Sequence, residues 1–131
     1  MADTRRANYA LVTVQEHLGP NDEYLDLPWA EYVGNKTSRF EFTVPTADAS
    51  DAYVELQAYD VGEYGHELLV NDTELTGFDL PPANGWQYWM DPVTGVELRE
   101  GTNTVQIRRD QSTTDSLAIG TLTVHWREPV E

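Results

Sequence analysis

Side chains with binding chemistry recur at every second position between residues 53 and 59. They are Tyr53, Glu55, Gln57 and Tyr59. Apolar residues stand between them at positions 54, 56 and 58, so a β-strand would place the two sets on opposite faces. Aromatic rings provide flat stacking surfaces, and the carboxylate and amide provide hydrogen bonds. The polar and aromatic face of this strand is therefore a candidate binding surface.

A second aromatic strand is expected from Trp86 to Met90. Proline residues bound it, with Pro81 and Pro82 before it and Pro92 after it. Alternation assigns the side chains of residues 86, 88 and 90 to one face and those of residues 87 and 89 to the other. We expect Trp86 and Tyr88 to pack in the core or at a sheet edge, because large aromatic residues most often do so. The same expectation applies to Trp126.

Catalytic chemistry has little support in the sequence. His17, His66 and His125 do not have the spacing of zinc ligands, there is no cysteine, and no glycine-rich phosphate loop joins a strand to a helix. Paired carboxylates could hydrolyse glycosides, but 23 acidic residues make chance pairs unavoidable. We therefore predict that the protein is not an enzyme.

The charge of the chain is strongly acidic. The chain has 23 acidic residues and eight basic ones, of which Lys36 is the only lysine, so its net charge is −15. Nucleic-acid binding needs a basic footprint, which this chain lacks. The acidic residues are dispersed through apolar sequence, which indicates a folded surface rather than an acidic tail. Acidic, lysine-poor surfaces are typical of salt-in halophiles, where concentrated salt screens self-repulsion.

Short segments rich in valine, leucine, threonine and aromatic residues alternate with turn signals, and no window shows an amphipathic helical stripe. The pattern predicts an all-β protein. At 131 residues the chain has the length of one domain. We expect a flexible N-terminus over residues 1–6 and a long irregular loop over residues 19–37. The apolar run at residues 10–12 is too short for a signal peptide or a membrane span, so a cytoplasmic location is the default expectation.

The last strand changes its apolar parity. Leu117 and Ile119 follow odd numbering, whereas Leu122, Val124 and Trp126 follow even numbering. An extra residue in the strand would keep both sets on the same face. The pattern predicts a β-bulge at residues 120–121.

Three segments together resemble a known superfamily. They are the run Leu68-Leu69-Val70-Asn71-Asp72, the spaced set Leu98, Gly101, Asn103, Val105 and Ile107, and the run Asp115-Ser116-Leu117-Ala118-Ile119. In this order, around a tryptophan-containing strand, they resemble the galactose-binding-like jelly rolls, which include many carbohydrate-binding modules. The resemblance covers roughly residues 39–126 and implies an antiparallel β-sandwich with a jelly-roll fold. The acidic, lysine-poor surface would also suit a haloarchaeal family without an assigned function.

The resemblance implies a sugar ligand, bound on a sheet face or at the rim loops. The sheet candidates are Tyr53, Gln57, Tyr59, Gln87 and Trp89, and the rim candidates are Tyr24, Trp29 and Tyr32. Some relatives hold a structural calcium ion between an early strand and the last one. Glu16 and Asp115 are the candidate ligands here, although no loop has the regular carboxylate spacing of a dedicated calcium site.

Two function classes remain open. The first is a non-catalytic carbohydrate-binding module. The second is a structural, self-assembling or protein-interaction domain, in which the aromatic face and unpaired edge strands meet other copies or a partner protein.

The charge analysis generates a prediction about salt. Lowering the salt from molar to tens of millimolar should unfold the protein, because carboxylate repulsion is then unscreened. Near-UV circular dichroism of the four tryptophans measures the loss. An unchanged melting temperature over this range would refute the halophile interpretation.

Overall fold

The computed structural model describes residues 4–23 and 25–130, which contain nine β-strands and no helix. The strands are β1 (Arg5–Leu18), β2 (Glu31–Gly34), β3 (Phe40–Val44), β4 (Ser50–Val61), β5 (Glu67–Val70), β6 (Thr73–Glu74), β7 (Ala83–Pro92), β8 (Gly101–Arg108) and β9 (Leu117–Pro129). They form a five-stranded sheet in the order β2-β1-β9-β4-β7 and a four-stranded sheet in the order β3-β8-β5-β6. All pairs are antiparallel except β1 with β2. The predicted all-β sandwich is confirmed.

The core lies between the two sheets and follows the predicted alternation. In β4, Val54, Leu56 and Ala58 are at most 1% exposed. From the opposite sheet, Val105 and Ile107 of β8 belong to the same buried cluster. Burial of these side chains drives the sheets together, and it leaves the intervening residues of β4 on the outside of the five-stranded sheet.

The β-bulge predicted at residues 120–121 is confirmed in the pairing of β9 with β4. Leu56 lies opposite Leu122, whereas Ala58 lies opposite Ile119, so Gln57 faces two residues of β9. The extra residue shifts the side-chain parity of β9 by one. As a result both halves of the strand turn their apolar residues to the core.

Two expectations about irregular segments need correction. Arg5 and Arg6 are not part of a flexible terminus but begin β1, where the Arg6 guanidinium binds the Glu128 carboxylate at 2.9 Å. The segment 19–37 is not wholly irregular, because it contains β2, which pairs with the end of β1. Backbone pairing with strands distant in sequence, which local patterns do not show, forms β2 and the start of β1.

Asn103 explains part of the spaced pattern from residue 98 to residue 107. Its side chain is fully buried in β8. The Oδ1 atom accepts hydrogen bonds from the Arg99 backbone and the Asn71 side chain, and Nδ2 donates to the carbonyls of Arg99 and Gly101. One amide therefore ties the turn before β8 to the turn after β5. Gly101 enables this turn because its backbone has a φ of 93°.

Replacing Asn103 by alanine should destabilise the fold by about 2 kcal/mol, because buried partners of the amide lose their hydrogen bonds. Urea denaturation measures the change in the free energy of unfolding. Asn84→Ala is the control, since Asn84 is exposed. Equal stability of both variants would show that the Asn103 amide does not hold the two turns.

Candidate binding face

The outside of the five-stranded sheet carries a continuous aromatic and polar surface, which we call the binding face. Its side chains are Tyr9, Leu11 and Thr13 of β1, Thr121, Thr123 and His125 of β9, Tyr53, Glu55, Gln57 and Tyr59 of β4, and Trp86, Tyr88 and Met90 of β7. Cross-strand register brings them into rows, because residues opposite each other share a face.

Exposed apolar side chains are concentrated on the binding face. Tyr9, Leu11, Trp86, Tyr88 and Met90 are each more than half exposed. Among the side chains named above only Glu55 carries a formal charge, although 24% of the whole chain is charged; Arg127 lies on the same side of β9, next to the end of the face. A charge-poor aromatic patch on an acidic protein marks an interaction surface.

Three aromatic rings meet at one end of the face, which we call the tryptophan end. Trp86 lies 5.0 Å from Trp29 and 5.2 Å from Tyr59, measured between ring centroids. Trp29 comes from the segment before β2, so a loop and two strands build this cluster. The Trp86 ring lies over Gly120, where an added Cβ would come within 3.1 Å of the indole. Glycine at position 120 thus lets the indole lie close to the sheet.

An open pocket of about 410 Å³ adjoins the tryptophan end and is lined by Gln57, Trp86, Gln87 and Tyr88. Gln57 Oε1 accepts a hydrogen bond of 3.1 Å from the Thr121 hydroxyl. Within residues 4–23 and 25–130, the Nε2 group of this pocket-lining residue has no hydrogen-bond acceptor. The pocket therefore combines an indole face, a phenol ring and a hydrogen-bond donor.

A second cluster, which we call the histidine end, lies nearer the start of β4. Tyr53 stacks on His125 with ring centroids 4.4 Å apart and an interplanar angle of 7°. One carboxylate oxygen of Glu55 accepts a hydrogen bond from His125 Nε2, and the other accepts one of 2.7 Å from the Tyr88 hydroxyl. Glu55 therefore links three strands, and both of its oxygens are engaged within the face.

These hydrogen bonds shift the titration of the groups that make them. The Tyr88 hydroxyl lowers the pKa of Glu55, His125 lowers it further, and partial burial opposes both effects. The same hydrogen bond to the Glu55 carboxylate raises the pKa of Tyr88. Both groups thus stay in the protonation states that maintain the bond at neutral pH.

The structure brings together some of the sequence candidates. Tyr53, Gln57 and Tyr59 share the binding face, as the alternation predicts, and Trp29 joins Tyr59 at the tryptophan end. Tyr32 does not join them, because its hydroxyl donates to the Gly19 carbonyl and its ring packs against His17. Tyr24 lies outside the described residues.

The expected face of β7 was wrong. Trp89 pairs with the buried Leu56, packs against the core and donates from its indole nitrogen to Asp91. Gln87 pairs with the buried Ala58 and donates to the Pro81 carbonyl, so it only lines the pocket wall. The set at residues 86, 88 and 90 faces outward instead.

The reversal has a physical reason. An edge strand pairs with a neighbouring strand on one side only, so its inward side chains are only half-buried and can be polar. Its outward side chains can be aromatic, because they are not needed in the core. Sequence analysis consequently missed Trp86, Tyr88 and His125. The alternation of Trp86 and Tyr88 was visible in the sequence. Assigning them to the outward face required knowing that they pair with Tyr59 and Gln57 of β4, which is the strand register.

The carboxylates suggested for calcium are engaged by hydrogen-bond donors of the protein. Glu16 accepts hydrogen bonds from the backbone and hydroxyl of Ser38, both at 2.7 Å. Asp115 accepts them from the Gly62 and Glu63 backbone and from His66. Each carboxylate thus has a structural role as an acceptor within the fold. In the described residues, no group of three or more histidine, aspartate or glutamate side chains is arranged to hold a metal ion.

A family model matches residues 6–128, nearly the whole chain, and it describes a family of unknown function, DUF7383. The chain belongs to the DUF7383 family. No curated protein sequence matches this DUF7383 chain.

Three solved structures have a similar fold at low sequence identity. The CBM36-1 domain of a multidomain xylanase from the hindgut metagenome of Trinervitermes trinervoides has 12% identity and a TM-score of 0.58, with 89% of this chain and 96% of that chain covered. The Podospora anserina GH26-CBM35 beta-(1,4)-mannanase has 10% identity and a TM-score of 0.53, with 94% and 28% covered. Dimeric latent PorU from Porphyromonas gingivalis has 9% identity and a TM-score of 0.55, with 98% and 13% covered.

At these identities the similarity shows the fold alone, and the DUF7383 chain has the jelly-roll sandwich of carbohydrate-binding modules. It spans less than a third of the mannanase and of PorU. Within the part of the chain that the structure describes, there is no helix suited to crossing a lipid bilayer.

The histidine end generates a prediction about pH. Tyr88→Phe should raise the pKa of Glu55, because the hydrogen bond that contributes most to lowering it is lost. A carboxylate with a lowered pKa in the folded state stabilises the fold above its unfolded pKa, and this stability disappears as the pH falls through the folded value. The wild type should therefore keep the stability contributed by the Glu55 carboxylate down to a lower pH than the variant does.

Carbon NMR titration of the Glu55 carboxyl group measures the shift directly. Tyr9→Phe is the matched control, because Tyr9 is on the same face and lies 6.0 Å from the His125 ring without a hydrogen bond to Glu55. The same Glu55 titration curve in wild type and Tyr88→Phe would contradict the assigned hydrogen bond.

Proposed function

We propose that this protein is a non-catalytic binding module that holds neutral carbohydrate on the binding face, with the tryptophan end as its main contact. The observation that carries the proposal is the pocket beside Trp86, where an exposed indole, a phenol and the Gln57 amide converge. The fold of carbohydrate-binding modules supports it.

The geometry of the tryptophan end suits a sugar ring. Sugars present C–H groups on their faces, which stack on aromatic rings, and hydroxyl groups at their edges, which pair with amides. Trp86 is 53% exposed, so its ring has surface free for stacking, while Trp29, Tyr59 and Gly120 hold it in place. A rigid aromatic surface binds with little loss of side-chain entropy.

The charge distribution favours a neutral ligand. The chain has a net charge of −15, so its field repels glycans that carry carboxylate or sulfate groups. The single carboxylate of the face, Glu55, is engaged by His125 and Tyr88 and does not provide a site for a cation. Neutral hydroxyl groups remain as the ligand chemistry that the face accepts.

The acidic surface supports a further part of the proposal, that the protein works in concentrated salt. Eight basic residues against 23 acidic ones give a self-repulsion that salt screens. Binding should therefore be measured in molar salt.

A structural or self-assembly role is the second candidate function. The exposed edge of β7 favours it, since this strand has a neighbour on one side only. Pairing along that edge would leave the outward side chains of the face exposed, so the two roles are compatible in geometry.

Trp86→Ala should weaken carbohydrate binding about tenfold or more, equivalent to about 1.4 kcal/mol, because the stacking surface is removed. Isothermal titration in molar salt with neutral xylan and mannan oligosaccharides, and with polygalacturonate as the acidic probe, measures the effect. Tyr64→Ala is the matched control, since Tyr64 is 55% exposed and lies outside the face.

The proposal predicts heat with a neutral glycan, none with polygalacturonate, and normal affinity for Tyr64→Ala. A chelator should leave binding unchanged, because the oxygens of Glu16 and Asp115 are engaged by protein donors. No binding to any glycan on a broad array in molar salt would overturn the proposal. Binding that Trp86→Ala leaves intact would place the site elsewhere.

A further inference from the structure

The four sheet edges of the described fold differ greatly in length. The edge strands β2, β3 and β6 have four, five and two residues, whereas β7 has ten. Short edges offer few unpaired backbone groups to another chain, and a long edge offers many. The β7 edge is thus the place where the sandwich can be extended.

The main chain of β7 is open along this edge. Its ladder partner is β4, and no backbone group from Trp86 to Asp91 bonds to any other described segment. The preceding segment bonds to side chains of β7 in this range, with the Gln87 amide donating to the Pro81 carbonyl and the Asp79 backbone donating to the Asp91 carboxylate. Alternate N–H and C=O groups of an antiparallel edge point away from the sheet and remain available for pairing.

Between Trp86 and Asp91 the β7 edge lacks the features that normally protect an edge, whereas nearer the start of β7 a bulge at residues 84–85 interrupts the pairing with β4. It has no lysine or arginine, its prolines lie at or beyond its ends, and it has one charged residue, Asp91. The Asp91 carboxylate is already bound by the Trp89 indole and the Asp79 backbone. Natural proteins commonly place charge, proline or a bulge on an exposed edge to prevent pairing.

Charge decides which partner fits. Two molecules of net charge −15 repel each other over most of their surfaces. The β7 edge and the adjoining binding face form a charge-poor strip through which two copies can approach, especially in concentrated salt. A basic partner would instead be drawn to the acidic remainder of the surface.

We propose that β7 pairs antiparallel with β7 of a second copy, forming a continuous ten-stranded sheet. A twofold axis at Tyr88 places Trp86 opposite Met90 and Gln87 opposite Trp89, within the part of β7 that pairs regularly with β4. The outward faces of the two β7 strands then lie on the same side of the joined sheet. Trp86 of each copy pairs with Met90 of the other, and no two charges oppose each other. The two binding faces become one surface, with the Trp86 pockets of both copies beside the axis.

The test measures mass by sedimentation equilibrium in molar sodium chloride, for the wild type and two variants. Met90→Glu introduces a charge on the β7 edge, and Leu11→Glu introduces the same charge on the same face in β1, away from the edge. The two residues are matched, being 56% and 61% exposed. Circular dichroism checks that each variant is folded.

We expect dimers for the wild type and Leu11→Glu, and monomers for Met90→Glu at the same concentration. A monomeric wild type at millimolar concentration would overturn the proposal, as would loss of the dimer in Leu11→Glu, which indicates contact through the whole face. A dimer that survives Met90→Glu would place the interface elsewhere.

Hydrogen exchange keeps the proposal testable if Met90→Glu does not fold. On dilution of the wild-type dimer, the amides of β7 that point away from β4 should exchange faster, while those between β4 and β9 should not change. Exchange in β7 that is independent of concentration would contradict edge pairing. None of these outcomes depends on whether the face binds sugar.

Discussion

The inward row of β4 is the constraint on which the binding face depends. Val54, Leu56 and Ala58 are buried between the two sheets, and a slip of one residue would turn them to solvent. Their burial therefore fixes the direction of Tyr53, Glu55, Gln57 and Tyr59. The neighbouring strands align with this row, so their outward side chains are fixed by the same core.

The bulge in β9 shows how closely the core and the face are coupled. The extra residue opposite Gln57 keeps Ile119 and Leu122 in the core. It also places Gly120, which has no side chain, under the Trp86 ring, and it brings the Thr121 hydroxyl to Gln57. One backbone irregularity thus satisfies the core pattern and shapes the floor of the pocket.

The carboxylates of this acidic protein have two distinct roles. The buried carboxylate of Glu128 accepts hydrogen bonds from Trp126, Asn8 and Arg6, which lower its pKa and keep it ionised. Asp115 likewise holds His66 and the backbone after β4. These carboxylates hold elements together, whereas most of the other carboxylates in the described residues are exposed. The binding face and the β7 edge carry few charges by comparison, and the proposals for both rest on this contrast.

The sequence by itself determined the strand character, the inward alternation of β3, β4 and β8 and the bulge at residues 120–121. Each follows from local spacing or composition, which the chain carries without knowledge of its neighbours. Only the tertiary structure decided which face of β7 is outward, that β2 pairs with β1, and that Trp29, Tyr59 and Trp86 meet. Those features depend on register between strands distant in sequence. At an edge strand, local hydrophobicity does not report that register, because neither face is fully buried.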